Sequence, residues 1–210
     1  MLIKITPFVQ ETPAYCGPTV IQTLLDYIGI KVSQNQVVAA ALAKSRVMSK
    51  GIRPDQLAKA IPKLAPNMEF WLKQNATASD LDQLINTYHY PVAVDWQGLF
   101  YDSVEEEKKV HPLGYDSGHY STVIGVDRQK DSIVIYDQYP DFAKKPRKFS
   151  LNWFVTRRWW DVVYEKDKKT GKKIGLYTKH LIFIIVPKSA TFPQKLHFSL
   201  VDDFAYLNHK

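Results

Sequence analysis

The chain has 210 residues, 45% of them hydrophobic and 23% charged; it is long enough for one sizeable core, and its composition excludes global disorder. Its single cysteine excludes an internal disulfide framework and any zinc site built from several thiolates. The formal charge of +7 suits polyanions or acidic substrates in a general way and says nothing about the fold.

Met1 to Gln10 reads as a strand, not as a basic region followed by an apolar stretch and a small-residue cleavage site; no export signal is read, and a cytoplasmic location is the expectation. Thr6 to Tyr15 is a loop with two prolines. Next, Val20, Ile21, Leu24, Leu25 and Ile28 recur at helical spacing, with Pro18 suited to the first turn and Gly29 as the stop, so Cys16 stands at or just before a helix N-terminus. Ser33 and Gln36 form the pattern of a capping box for a second helix through Val37, Val38, Ala41 and Leu42. A short helix from Pro54 to Ile61, a strand from Met68 to Leu72, a helix from Ser79 to Tyr88 and a strand from Pro91 to Trp96 follow. His119 to Val126 and Ser132 to Asp137 form a β-hairpin around the turn Arg128 to Asp131.

Phe149 to Trp160 reads as a short aromatic helix, and Val162 to Tyr164 with His180 to Val186 as the arms of a last hairpin. The lysine-rich stretch Lys166 to Lys173 is a solvated hairpin loop. Helices first and strands later indicate an α+β domain with an antiparallel sheet, taken as residues 1–187, with 188–210 as a C-terminal tail that packs on the domain or serves a partner. The longest apolar runs, such as Leu181 to Val186, fall far below the roughly 20 residues that a helix needs to cross a bilayer, so no membrane span is expected.

A free thiol has a pKa of about 8.5, so a nucleophilic cysteine needs surroundings that favour the thiolate. A helix N-terminus supplies positive potential to Cys16, and a neighbouring imidazolium would add to it. Of the six histidines, His119 stands apart by following Gly118 at the mouth of a well-defined strand. Across the hairpin, Asp137 lies near the same open end, placed to hold the second ring nitrogen, although the turn alone does not fix the register. Attack on an amide creates an oxyanion that wants two donors. The Cys16 backbone N–H is one, and the Gln10 side chain, across the loop Glu11 to Tyr15, can bring the other.

The segments QETPAYCGPT, GHYSTVIGVD and IVIYDQYP resemble the glutamine, cysteine, histidine and aspartate motifs of the C39-like, bacteriocin-processing branch of papain-like cysteine peptidases. The resemblance runs from about Phe8 to Pro187. It implies a papain-like α+β fold with N-terminal helices packed on an antiparallel sheet. It also implies a cysteine peptidase with Gln10 in the oxyanion hole, Cys16 as nucleophile, His119 as base and then acid, and Asp137 as orienter. Two departures stand out: Gln138 follows the aspartate where the family usually has proline, and a long polar insertion runs from Gln97 to Ser117. Transporter-linked members of that family cut leader peptides after paired glycines. This chain has neither a transmembrane run nor a Gly-rich phosphate loop ending in Gly-Lys-Ser or Gly-Lys-Thr, so that specificity is not expected to carry over.

Three functions remain open at this point: hydrolysis of a peptide or protein substrate through an acyl-thioester, acyl transfer on the same fold, and a non-catalytic peptide-binding module. No cofactor or metal is expected, since no histidine pair has helical ligand spacing and there is no HExxH. Trp159 and Trp160 beside Arg157 and Arg158 read as sheet packing, not as a nucleic-acid platform, and Trp153 as core packing or a cleft wall.

Overall fold

The computed structural model describes residues 2–98, 118–143, 145–166, 170–171 and 173–201. Helix α1 (Cys16–Tyr27) buries Val20, Ile21, Leu24 and Leu25. Gly29, at φ 84°, stops it in the left-handed region that glycine enters without a Cβ clash. The Ser33 hydroxyl accepts from the Gln36 N–H, and the Gln36 side chain reaches back to the Ser33 N–H, so α2 (Gln34–Ala40) begins at a complete capping box. The single turn α3 (Val47–Lys50) leads to α4 (Pro54–Leu64), which carries Pro54 in its first turn.

The remaining elements are β1 (Met68–Lys73), α5 (Ala78–Asp82), β2 (Val92–Gln97), β3 (Gly118–Asp127), β4 (Ser132–Tyr136), β5 (Arg147–Ser150), α6 (Leu151–Trp153), β6 (Trp160–Lys166), β7 (Lys173–Lys179), β8 (Leu181–Pro187), α7 (Phe192–Lys195) and β9 (Ser199–Leu200). Among the described residues, seven strands form one sheet in the order β5-β4-β3-β2-β8-β1-β9, and β6 pairs with β7 in a separate ribbon. Every pairing is antiparallel.

Strand β8 shows what holds the layers together. With a side-chain period of two, Leu181, Phe183 and Ile185 join the core formed by α1, α2 and α4, while Ile182, Ile184 and Val186 join the core on the opposite face with Leu81, Leu84, Phe154 and Trp159. The continuous apolar run therefore belongs to a strand buried on both faces.

Four expectations from the sequence are corrected. Residues 2–10 form no strand; the Ile3 N–H donates to the Ile124 carbonyl at 2.8 Å and the Tyr136 hydroxyl to that of Phe8 at 3.0 Å, isolated anchors instead of a ladder. The helix expected from Ser79 to Tyr88 finishes as a π-helical turn over Gln83–Thr87. Phe149 lies in β5, not in the aromatic helix, which is α6 continued by a π turn over Phe154–Arg158.

The last hairpin is different too: β6 pairs with β7, and β8 runs into the centre of the sheet between β2 and β1. His180 alone joins β7 to β8, at φ 48°. Its ring nitrogens face the carbonyls of Ala76 at 3.0 Å and Val155 at 3.1 Å, and its ring stacks on Trp159 at 4.6 Å, contacts that hold a non-glycine residue in the left-handed region.

After Pro187 the chain packs back on the domain, with Leu196 and Phe198 in the core and β9 on β1. The polar insertion read from Gln97 to Ser117 begins with Gln97 at the end of β2, and its residues 99–117, including His111, lie outside the described residues, as do 167–169, 172 and the tail from 202, including His209. Among the described residues no helix is long and apolar enough to cross a membrane.

Phe183 is fully buried at the junction of sheet and helices, stacked on Phe70 at 4.8 Å. Phe183→Ala is expected to cost about 3–5 kcal/mol, read as a lowered urea midpoint with an unchanged slope.

Candidate active site

Cys16 is the first residue of α1 and half-buried. The first turn of this helix holds no acidic side chain, so the positive potential of its unpaired N–H groups is not offset from within the helix. His119 is the second residue of β3, opposite Trp96 on β2, and 3% exposed. A Cβ on the preceding Gly118 would stand 2.1 Å from the Asp161 Oδ1. Glycine is what lets β3 begin against that carboxylate.

The His119 Nε2 donates to the Asp137 Oδ1 at 2.9 Å, and Asp137, just past the end of β4, is completely buried. The Cys16 side chain lies near enough to the same imidazole to help raise its pKa. With Nε2 engaged by Asp137, Nδ1 is the ring nitrogen left for the sulfur. The structure thus brings together the helix tip, the strand mouth and the hairpin end.

Burial by itself lowers the His119 pKa, but the Asp137 charge and hydrogen bond, with the Cys16 contacts, outweigh it and push the value up to about 10. The balance favours the protonated ring. For Asp137, burial raises the pKa, and the opposing His119 charge and hydrogen bond, the Tyr139 N–H and the Arg147 charge bring it below the ordinary carboxylate value. Arg147 Nη1 donates to the Asp137 Oδ2 at 3.1 Å and to the Gly98 carbonyl at 3.0 Å. Its guanidinium lies 4.2 Å from the Phe142 ring centroid and 5.0 Å from that of Phe149, a stacked arrangement suited to arginine over lysine. The sequence reading did not find Arg147, because a basic residue at the start of a short strand has no local signature.

Gln10 is 3% exposed, and its Nε2 donates to the Thr12 carbonyl at 2.9 Å, while Oε1 has no partner among the described residues. The buried Gln34 brackets it: the Gln34 Oε1 accepts from the Glu11 N–H at 2.9 Å and Nε2 donates to the Val9 carbonyl at 2.8 Å. The Gln10 N–H donates to the Gln138 carbonyl at 2.9 Å, and the Gln138 Nε2 donates to the Cys16 carbonyl at 3.2 Å. Gln10 is thus tied to Cys16 through Gln138. Neither Gln34 nor Gln138 was singled out from the sequence as a site residue, since both act over distances that only the fold creates.

The aromatic segment packs. Trp159 is fully buried and Trp160 stacks on Tyr177 at 5.9 Å. Trp153 stacks on Phe149 at 5.4 Å and carries the Arg158 guanidinium at 5.5 Å from its centroid, so it supports the aromatic bed around Arg147. Among the described residues no group of three or more His, Cys, Asp or Glu could hold a metal ion.

The family model described as the Peptidase_C39 like family matches residues 2–167. The fold is similar to that of the peptidase domain of Streptococcus ComA, a bi-functional ABC transporter involved in a quorum sensing pathway: TM-score 0.54, 18% identity, 89% of this chain and 99% of that one. It is also similar to a double glycine motif protease from an AMS/PCAT transporter, solved in complex with the leader peptide: TM-score 0.54, 15% identity, 89% and 94%. Among curated proteins none matches by sequence.

Two outcomes test the electrostatics. In a Cys16→Ala background, which removes the thiol from the proton balance, His119 keeps the raising influence of Asp137. Its contribution to stability is then complete below about pH 6.5, the unfolded value, and is lost as pH rises through the folded value. Thermal melts from pH 6 to 10 should fall more steeply for Cys16→Ala than for Cys16→Ala with His119→Gln; parallel curves would contradict the raised pKa. Separately, Arg147→Met leaves a buried carboxylate short of one cation and is expected to cost about 3–5 kcal/mol in urea denaturation at neutral pH.

Proposed function

The chain belongs to the Peptidase_C39 like family, and on that premise we propose that it is a cysteine peptidase that hydrolyses peptide or amide bonds through an acyl-thioester on Cys16. The observation that carries the reading is the buried His119–Asp137 bond at 2.9 Å, on an imidazole that also meets the Cys16 side chain. The sulfur stands at a helix N-terminus beside an imidazole that can hold and return its proton, the setting in which a cysteine acts as a nucleophile.

In the proposed cycle the Cys16 Sγ bonds to the substrate carbonyl carbon and the carbonyl electron pair moves to oxygen. Backbone N–H groups at the start of α1 and the second N–H of the Gln10 amide stabilise that oxyanion. Collapse breaks the C–N bond, and the departing amine takes a proton from His119. The now neutral His119 accepts a proton from water as the water oxygen attacks the thioester. Release of the carboxylic acid then returns the thiolate and the imidazolium. Asp137 keeps the ring oriented and its charge compensated throughout. A peptide as substrate is supported by the similar double glycine motif protease, which was solved with a leader peptide bound.

Wild-type protein should release new N-termini from a mixed peptide library and alkylate with iodoacetamide at neutral pH far faster than a free cysteine does. Cys16→Ala should lower turnover by at least about a thousand-fold while melting as a folded protein. Full turnover in that variant would overturn the assignment. Products joined to an added amine, with no free acid, would instead identify an acyltransferase.

A further inference from the structure

Gln138 makes contacts that the proposed chemistry has not used. It is 1% exposed. Its side-chain amide donates both to the Cys16 carbonyl, at 3.2 Å, and to the Tyr120 carbonyl. Its own carbonyl accepts from the Gln10 N–H at 2.9 Å. It follows Asp137 directly in the chain, and Tyr120 follows His119. One residue therefore touches, or is bonded to a neighbour of, Gln10, Cys16, His119 and Asp137.

The sheet explains how this comes about. Strand β4 ends at Tyr136, opposite Thr122, so the stretch of β3 that carries His119 and Tyr120 extends beyond its partner. The two residues that continue β4 cover it with side chains: Asp137 takes the His119 ring, and Gln138 takes the Tyr120 carbonyl while reaching the first residue of α1.

We propose that Gln138 is a positioning residue that fixes the start of α1 against β3 and so sets where the Cys16 sulfur stands relative to the His119 ring. The proposal rests on the thiol reading of the site. It follows from distance dependence: hydrogen bonds weaken steeply with misplacement, and a shift of about 1 Å between reacting groups can cost roughly a hundred-fold in rate. A neutral amide suits the task because it has two N–H donors for two carbonyls.

The test is the pH profile of Cys16 alkylation by iodoacetamide. Gln138→Met keeps length and bulk but removes both donors, and Val38→Ala, a buried change in α2, serves as a control for general destabilisation. The Met variant should react at least tenfold more slowly than wild type near pH 6.5, with its profile displaced toward that of a free thiol. Val38→Ala should keep the wild-type profile despite a lower melting temperature.

Gln138→Glu carries the test if the Met variant does not fold. An ionised carboxylate facing two carbonyls repels both, whereas the protonated acid donates once, so its rate relative to wild type should rise as pH falls. Wild-type profiles in both Gln138 variants, or equal losses in Gln138→Met and Val38→Ala, would overturn the role of Gln138 alone. A wild-type thiol no faster than free cysteine would instead remove the thiol reading and this proposal with it.

Discussion

The arrangement turns on one buried carboxylate. Asp137 has no solvent exposure, and an ion so placed costs several kcal/mol unless its oxygens are matched by cations and donors. The matches come from different parts of the chain: the His119 ring on β3, the Arg147 guanidinium on β5 and the Tyr139 backbone N–H just beyond. Satisfying this one group therefore locks one edge of the sheet to the imidazole.

Much of this was legible from residues alone, and the legible parts are local. The stripe on α1, the Ser33 and Gln36 capping box, and the Arg128 to Asp131 turn announce elements that the structure contains, because each depends on neighbours a few positions away. The same locality explains the failure at the C-terminal end. Nothing in the sequence punctuates Lys179 and Leu181, since the corner is made by His180, an ordinary residue held in an unusual backbone conformation by Ala76, Val155 and Trp159. Those partners lie far away in the chain. Without that corner, β8 was assigned to a ribbon and not to the centre of the sheet.

The site divides along the same line. The residue types with chemistry of their own, a thiol at a helix tip, an imidazole at a strand mouth and an acid at a hairpin end, could be picked out because each has a recognisable setting. Gln34, Gln138 and Arg147 have none. They act by bonding to main-chain carbonyls, N–H groups or a single carboxylate that the fold delivers from elsewhere. Gln138 is instructive here, because it first drew notice as a departure from the resembling motif. A proline in its place would offer a carbonyl to Gln10 but no donor to Cys16 or Tyr120.

The position of β8 has a temporal side. It is a late strand in the chain and a middle strand in the sheet, flanked by β2 and β1. During synthesis, a nascent polypeptide that has emerged only as far as His180 holds the strands β5-β4-β3-β2 of the sheet but leaves β1 without a partner strand, and α1 has no Leu181 or Phe183 to rest on. Long-range pairings of this kind form last and leave apolar surface open until they do. The apolar faces that flank this strand, the seat of α1 among them, thus stay open until the last long segment of the chain is in place.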